Sequence, residues 1–459
     1  MAEPQTPTSK RRIFINAFDM FTTSHLNFGQ WRREDDRGKD KRRDLSYWTD
    51  LAQTLERGDV NALILADGYG QHDVYKGSAE PAIRTTCQYP MGDPAAPVTA
   101  MAAVTKNLGF IITTSTSYES PFVVAKRFST LDHLTKGRFG WNIVTSFKES
   151  AAKAHDRRYE IADEIWEGSW ADDALREDAK NEVYADPNKI RWIKYKSANF
   201  NIDAPHILDP SPQRTPFLLQ AGTSSAGIAF AGKHAEAVMV AALSPHILAP
   251  RVAEIRAKAA QFGRDHRSIK VFAVVTPVIG RTDEEAQEKY QTALAHSSAE
   301  AGLAFYSGNV GIDLSKFDLD TEIRPDDVTV DSRVHSLVNS LKYRGSDLPA
   351  WTPRNIGKHM AIGGNGSVPV GTPAHVADFL EEWAETADLD GFNIGHVVSP
   401  ASFEDLVDLL VPELRRRGVY ATRGESGTIR ERIYGPGQSR LRDDHIGSRS
   451  KYDTYVEDQ

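Results

Sequence analysis

Eight short β-branched or apolar runs recur along the chain, most of them followed by a helical pattern, and this alternation constrains the fold more than any other feature. They are Arg12 to Phe18, Ala62 to Asp67, Gly109 to Ser115, Arg138 to Thr145, Pro216 to Ala221, Ala237 to Ala242, Lys270 to Ile279 and Gly391 to Val398. Runs such as FIITTS and VFAVVTPVI are too continuous for strands with one wet face, so they fit a parallel sheet covered on both sides. Eight such strands predict an α/β fold, a (β/α)8 barrel spanning residues 12–434.

The intervening segments carry helix signals. Ser46 to Gly58 places Leu45, Trp48, Leu51, Ala52 and Leu55 on one face, with Gly58 as a stop. Ser120 to Gly137 has Pro121 just inside its start and Gly137 past its end. Thr372-Pro373 opens a further amphipathic helix through Trp383, and Ser402 to Leu410 begins another. Two intervals, near 161–215 and 280–390, are too long for plain connections and, together with a long insert near 69–94, read as insertions at the C-terminal mouth of the barrel. GGNGSVPVG at Gly363 to Gly371 reads as a mobile lid or linker. Residues 1–11 and 435–459 read as tails, the second weakly ordered or lying across a neighbouring subunit.

Composition excludes several classes of function. Lys plus Arg is 55 against 63 Asp plus Glu, a net charge of −8 with no long basic stripe, so nucleic acid is not an expected partner. Cys87 is the only cysteine, which rules out an intrachain disulfide or a cysteine-based zinc cluster and fits a cytoplasmic setting. No run of about 18 apolar residues calls for a membrane. HExxH and GxSxG are absent, so no metal and no hydrolase triad is indicated.

Polar residues cluster where barrel strands end. The second run closes on Asp67, the third on Thr113 and Ser115, the fourth on Asn142, Thr145 and Ser146. Any one of them could equally cap a segment or satisfy a backbone group. QAGTSSAG at Gln220 to Gly227 ends a strand and opens a helix, so Ser224 and Ser225 beside Gly222 suit either a phosphate cradle or an ordinary capped helix. Gly227, Gly232 and Lys233 match the spacing GxxxxGK, but His234 follows and the motif falls inside the expected helix, which excludes a P-loop. His155 and Tyr159, four apart, share a helix face that could hold an anion or simply pack.

Taken in order, LADG at Leu65 to Gly68, LGFIITTSTSYESPF at Leu108 to Phe122, FSTLDHLTKGRFGWNIVTS at Phe128 to Ser146 and RRYEIADE at Arg157 to Glu164 resemble the bacterial luciferase-like flavin monooxygenases. QAGTSSAG, KHAEAVM at Lys233 to Met239 and DLVDLLVPELRRRG at Asp405 to Gly418 extend the resemblance. It points to the branch of nitrilotriacetate monooxygenase component A, pristinamycin synthase and dibenzothiophene-sulfone monooxygenase. The resemblance implies a TIM-like barrel, a homodimer or homotetramer, that binds reduced FMN supplied by a separate flavin reductase. With O2 it would oxygenate a small organic substrate through a flavin (hydro)peroxide. Flavin contacts of that family fall here on Asp67, Thr113, His155, Tyr159 and Ser224, with Ser225 as neighbouring phosphate ligand. SHLNFGQWR resembles the loop near the substrate and makes His25 a candidate catalytic residue; the other reading is a loop histidine bonded to backbone. A deazaflavin-dependent oxidoreductase of the same superfamily and a non-catalytic flavin-binding protein are the rival expectations. Three departures from the family pattern border the mouth: Ser146 and His155 are only nine apart, Phe147 stands where some relatives have His, and the insert from Tyr69 to Pro94 carries Cys87.

Overall fold

The computed structural model describes residues 11–117, 119–144, 163–178, 180–181, 183–196, 201–323, 350–421 and 424–454. The expectation for residues 1–10 lies outside this set. Each of the eight apolar runs supplies one strand: β1 (Phe14–Met20), β2 (Ala62–Ala66), β3 (Gly109–Ser115), β4 (Phe139–Val144), β5 (Phe217–Ala221), β6 (Ala237–Val240), β7 (Lys270–Val275) and β8 (Gly391–Ile394). All neighbours are parallel, and β8 closes on β1, so the expected barrel is the fold. Alternation along the strands makes two layers. Phe18, Ile64, Ile111, Leu219 and Val274 fill the lumen, while Ile15, Leu63, Phe110 and Ile112 pack outward under the helices.

Strand limits differ from the runs for local reasons. β1 starts two residues later than its run because Arg12 turns to Glu425, 2.6 Å away, and is drawn out of the sheet. Thr276 and Pro277 interrupt the seventh run; proline has no N–H for a ladder, and Val278–Ile279 pairs instead with Val370–Gly371. The helix Leu45–Arg57 is capped by the Asp44 carboxylate and buries Trp48, Leu51, Ala52 and Leu55. Leu45 is exposed, contrary to the expected face. As the first helical residue its side chain leans toward the N-terminus, past the packed layer.

The long intervals do follow strand ends. After β4 the chain makes two antiparallel ribbons, Leu175–Asp178 with Val183–Ala185 and Ile193–Lys196 with Asn201–Ala204. After β7 come the helices Asp283–His296, Ala299–Val310 and Pro353–Met360. Leu26, Tyr75, Cys87, Phe305 and Met360 from the loops share one apolar cluster with the barrel lumen, so the inserts cap the same core.

Two expectations fail. Gly363 to Gly371 is no free lid: Gly363 N–H donates to Leu26 O at 2.8 Å, and Thr276 and Val278 N–H donate to Ser367 and Pro369 carbonyls. Its backbone is bonded to the first loop and to the segment that follows β7. Residues 435–454 are no loose tail but pack on the barrel. Leu441 and His445 are buried, and His445 Nε2 lies 2.8 Å from His234 O on the same barrel.

Candidate functional site

Side chains at the C-terminal ends of barrel strands face the mouth. Thr113 of β3 and Asn142 of β4 stand side by side in register and point into the lumen. Asn142 Nδ2 donates to Thr113 Oγ1 at 2.8 Å, and both residues are buried. The bond leaves the Thr113 proton free to donate and Asn142 Oδ1 without a partner among the described residues. A buried acceptor left unmet costs about 1–3 kcal/mol. The pair is therefore suited to a ligand edge that carries both a donor and an acceptor.

Ser224 caps the helix Ser225–His234: its Oγ accepts from Gly227 N–H at 3.1 Å. The capped-helix reading is present, yet it leaves the helix start open. Ser224 and Ser225 are exposed, and the Ser225 and Ala226 N–H groups have no helical acceptor. Small residues keep that space clear. A Cβ on Gly227 would lie 3.1 Å from Gly222 O, and Gly222 itself has φ +137°, a conformation that favours glycine. Gly227, Gly232 and Lys233 all fall inside this helix, in agreement with the exclusion of a P-loop.

Asp67, one residue past β2, borders a cavity of about 710 Å³ with Tyr69, Gln88, Thr114, Glu119 and Arg127. Tyr69 OH donates to Glu119 Oε1 at 2.8 Å, and Arg127 pairs with the same carboxylate at 2.8 Å. Burial and that carboxylate hold the Tyr69 phenol well above its ordinary range.

His25 lies deeper than a loop residue at an open mouth would. It is 2% exposed, its ring meets Phe18 edge-on at 4.5 Å, and burial holds its pKa down at about 3. The Phe18 backbone is its hydrogen-bond partner, as in the loop-histidine reading, while Nδ1 has none among the described residues. Gln88 reaches this loop from the insert after β2, with Nε2 donating to His25 O at 3.3 Å.

Sequence reasoning missed a buried charge cluster beside His25. Lys41 Nζ lies 2.6 Å from Asp19 Oδ1 and 3.0 Å from His396 Nε2, with the Lys41 and Asp19 side chains wholly buried. Burial, and then the Lys41 charge, hold the His396 pKa well below its ordinary value. The cluster sits on the outer face of β1 and ties it to the loop after β8 and to the turn Arg37–Arg42. The signal was available: Asp19 is the one charge in FINAFDM, but ending the run at Phe18 put it in a loop.

His25, Asp67, Thr113, Asn142 and the Ser224–Ser225 pair follow or end β1 through β5, five consecutive staves of the barrel. They form one arc of the rim. His155 and Tyr159, like Thr145 and Ser146, lie outside the described residues.

Among known proteins, the family model for luciferase-like monooxygenase matches residues 27–389. The chain is 40% identical to dimethyl-sulfide monooxygenase of Hyphomicrobium sulfonivorans over 97% of this chain and 95% of that protein. The crystal structure of DmoA from that organism superposes with a TM-score of 0.89 at 38% identity, covering 98% of this chain and 97% of that one. Long-chain alkane monooxygenase of Geobacillus thermodenitrificans is 41% identical over 96% of this chain and 98% of that protein. A riboflavin lyase solved with modified FMN and riboflavin superposes with a TM-score of 0.86 at 33% identity, over 96% of this chain and 100% of that one.

Proposed function

The chain belongs to the luciferase-like monooxygenase family and is a flavin-dependent monooxygenase, and we propose that it takes FMN, reduced by a separate flavin reductase, at the rim arc from β1 to β5. The observation that carries this reading is the coincidence on one arc of an open helix start, at Ser224 and Ser225, with the half-satisfied Thr113–Asn142 pair. The first suits a dianionic phosphate, since free N–H groups and the helix dipole both favour negative charge. The second suits a flavin ring edge, which carries an N–H donor next to carbonyl acceptors. FMN has both ends.

In this assignment Ser224, Ser225 and the adjoining N–H groups hold the phosphate, and Thr113 and Asn142 meet the ring. Asp67 borders it from β2, and His155 and Tyr159 complete the set by the family resemblance. Bound reduced flavin supplies the two electrons that take one atom of O2 to water while the other enters the substrate. The protein's own task is to orient the reactants and exclude water. Phe18, Met360 and the inserts over the lumen do the second. His25, neutral and buried beside Phe18, serves as a hydrogen-bonding wall of the substrate space. A small organic substrate, a homodimer or homotetramer and a cytoplasmic setting belong to the same proposal; Cys87 as the only cysteine supports the last. No helix among the described residues is long and apolar enough to cross a membrane. Oxygenation is favoured over deazaflavin hydride transfer because the full-length relatives are named monooxygenases.

Ser224→Asp tests the phosphate assignment cleanly. Aspartate caps a helix as well as serine does, so the fold should persist while the new charge repels the phosphate. Anaerobic titration with reduced FMN should show affinity lower by at least about tenfold, equivalent to about 1.4 kcal/mol. Unchanged affinity in a fully folded variant would remove the phosphate from this helix.

A further inference from the structure

Three segments, the loop after β1, the turn Arg37–Arg42 and the loop after β8, are tied together around His25. The buried Asn27 side chain joins the first to the third: it accepts from His25 N–H at 3.0 Å and donates from Nδ2 to Val397 O at 2.9 Å. Arg37 N–H joins the turn to the same loop, donating to Ser399 O at 2.8 Å. Asp19, Lys41 and His396 lie among these bonds, all three buried. The Asp19 carboxylate is engaged on both oxygens, Oδ1 by Lys41 and by Met20 N–H at 2.7 Å and Oδ2 by Tyr47 OH at 3.5 Å. An ion pair this deep adds little net stability over apolar residues of similar volume, because desolvation offsets the attraction. The outward positions before it on β1 are Ile15 and Ala17, so packing alone does not call for charge here.

Lysine carries donors and no acceptor. The 3.0 Å contact from Lys41 Nζ therefore takes the Nε2 lone pair of His396 and leaves the proton of that neutral imidazole on Nδ1. The ring is held against Phe403, with centroids 5.1 Å apart and planes 25° apart. His25 is arranged the opposite way. Its ring donates to the Phe18 backbone, and Nδ1, buried and without a partner among the described residues, keeps a lone pair. We propose that Lys41 and Asp19, acting through His396 and Asn27, are positioning residues that hold the His25 ring in one orientation and one tautomer, with Nδ1 as a fixed hydrogen-bond acceptor on the substrate wall. The inference rests on the reading of His25 as part of that wall. The path from cation to ring is continuous: Lys41 bonds His396, the next residue Val397 bonds Asn27, and Asn27 bonds His25. Burial first, and then His396 and Lys41, keep His25 unprotonated against the pull of Asp19.

Histidine ring nitrogens labelled with 15N report tautomers directly by NMR. In the full chain His396 should carry its proton on Nδ1 and His25 on Nε2, each identified by the signals lost in His396→Phe and His25→Gln. Asp19→Asn with Lys41→Met removes both charges together and leaves no unpaired ion buried. His396 should then lose its fixed Nδ1 proton, and the His25 Nδ1 signal should shift or split between two tautomers. His396→Phe keeps the ring against Phe403 and the Lys41–Asp19 pair, so it gives the same test on His25 if the double variant does not fold. Asn27→Ser should shift His25 and leave His396 unmoved. A proton on Nε2 of His396, or on both its nitrogens, in the unaltered chain would overturn the inference. So would a His25 ring whose signals stay in place in every folded variant. Reduced FMN, added anaerobically until its absorbance shows saturation, tests the wall reading separately and should move the His25 Nδ1 signal. With the tautomers as stated, a His25 signal that ignores bound flavin would remove His25 from the wall and leave its positioning intact.

Discussion

At the N-terminal end of the barrel, Arg430 donates to Glu236 on both carboxylate oxygens, at 2.7 and 2.8 Å, and to the carbonyls of Thr215 and Pro216. Arg432 does the same for Val60 and Asn61, and Tyr434 OH donates to Ser268 O at 2.6 Å. These bonds satisfy the Glu236 carboxylate and the carbonyls at several strand starts. At the C-terminal end, Asn142 Oδ1, His25 Nδ1 and Gln220 Oε1 are buried and unmet among the described residues. The same strands thus carry a buried ion pair and bonded strand-start carbonyls at one end, and unmet acceptors beside the lumen at the other. Stability is concentrated at the closed end, and binding capacity is kept open at the mouth.

The largest effect that sharpens this contrast is expected at Arg430. Arg430→Met strands the buried Glu236 carboxylate, so it should cost about 3–5 kcal/mol in equilibrium denaturation, while reduced-FMN affinity of the folded fraction stays as it was. A stable Arg430→Met protein, or one that loses flavin first, would break the division between the ends.

The next effect is in acid. Burial holds the pKa of His234 down to about 3 and of His445 to about 4, and His445 Nδ1 accepts from Gly447 N–H at 3.0 Å, so it must stay unprotonated to keep that bond. With folded values below the unfolded value of about 6.5, the unfolded chain binds more protons in between. Stability should therefore be full above about pH 6.5 and fall by a few kcal/mol as pH drops toward about 4. His445→Gln should flatten that slope in denaturation measured across pH; an unaltered slope would place the acid sensitivity elsewhere.

The smallest effect on the fold is expected at the mouth. Asn142→Leu removes an unmet acceptor from a buried position, so denaturation should show stability unchanged or raised by up to about 1 kcal/mol. Reduced FMN should bind about tenfold more weakly, about 1.4 kcal/mol. A large loss of stability with flavin binding intact would make Asn142 part of the frame.

The closed end was the harder one to read from sequence. All eight strands were legible because strands buried on both faces cannot hide their continuous apolar runs. The places of Asp67 and Thr113 at strand ends and of Ser224 at a helix start were legible because strand ends and helix starts carry their own residue chemistry. The segment after Gly435 misled because its Gly, Arg, Asp and Ser look solvated, whereas Leu441 is buried, His445 bonds the His234 carbonyl at a helix end, and Arg440 and Arg442 pair with Asp172 and Asp444; no periodicity records such partners. Gly363 to Gly371 misled likewise, since glycine marks close backbone approach as often as mobility. The Asp19–Lys41–His396 cluster brings His396 to a residue 355 positions earlier, beyond the reach of any local pattern.

The most direct measurement is O2 consumption by the purified chain with FMN and NADH, before and after adding a flavin reductase. Negligible NADH oxidation by the chain alone is expected, since no GxGxxG turn follows any of the eight strands, with oxygen uptake and oxygenated product from a small organic substrate once the reductase is present. Rapid NADH turnover by the chain alone, with no reductase, would contradict it.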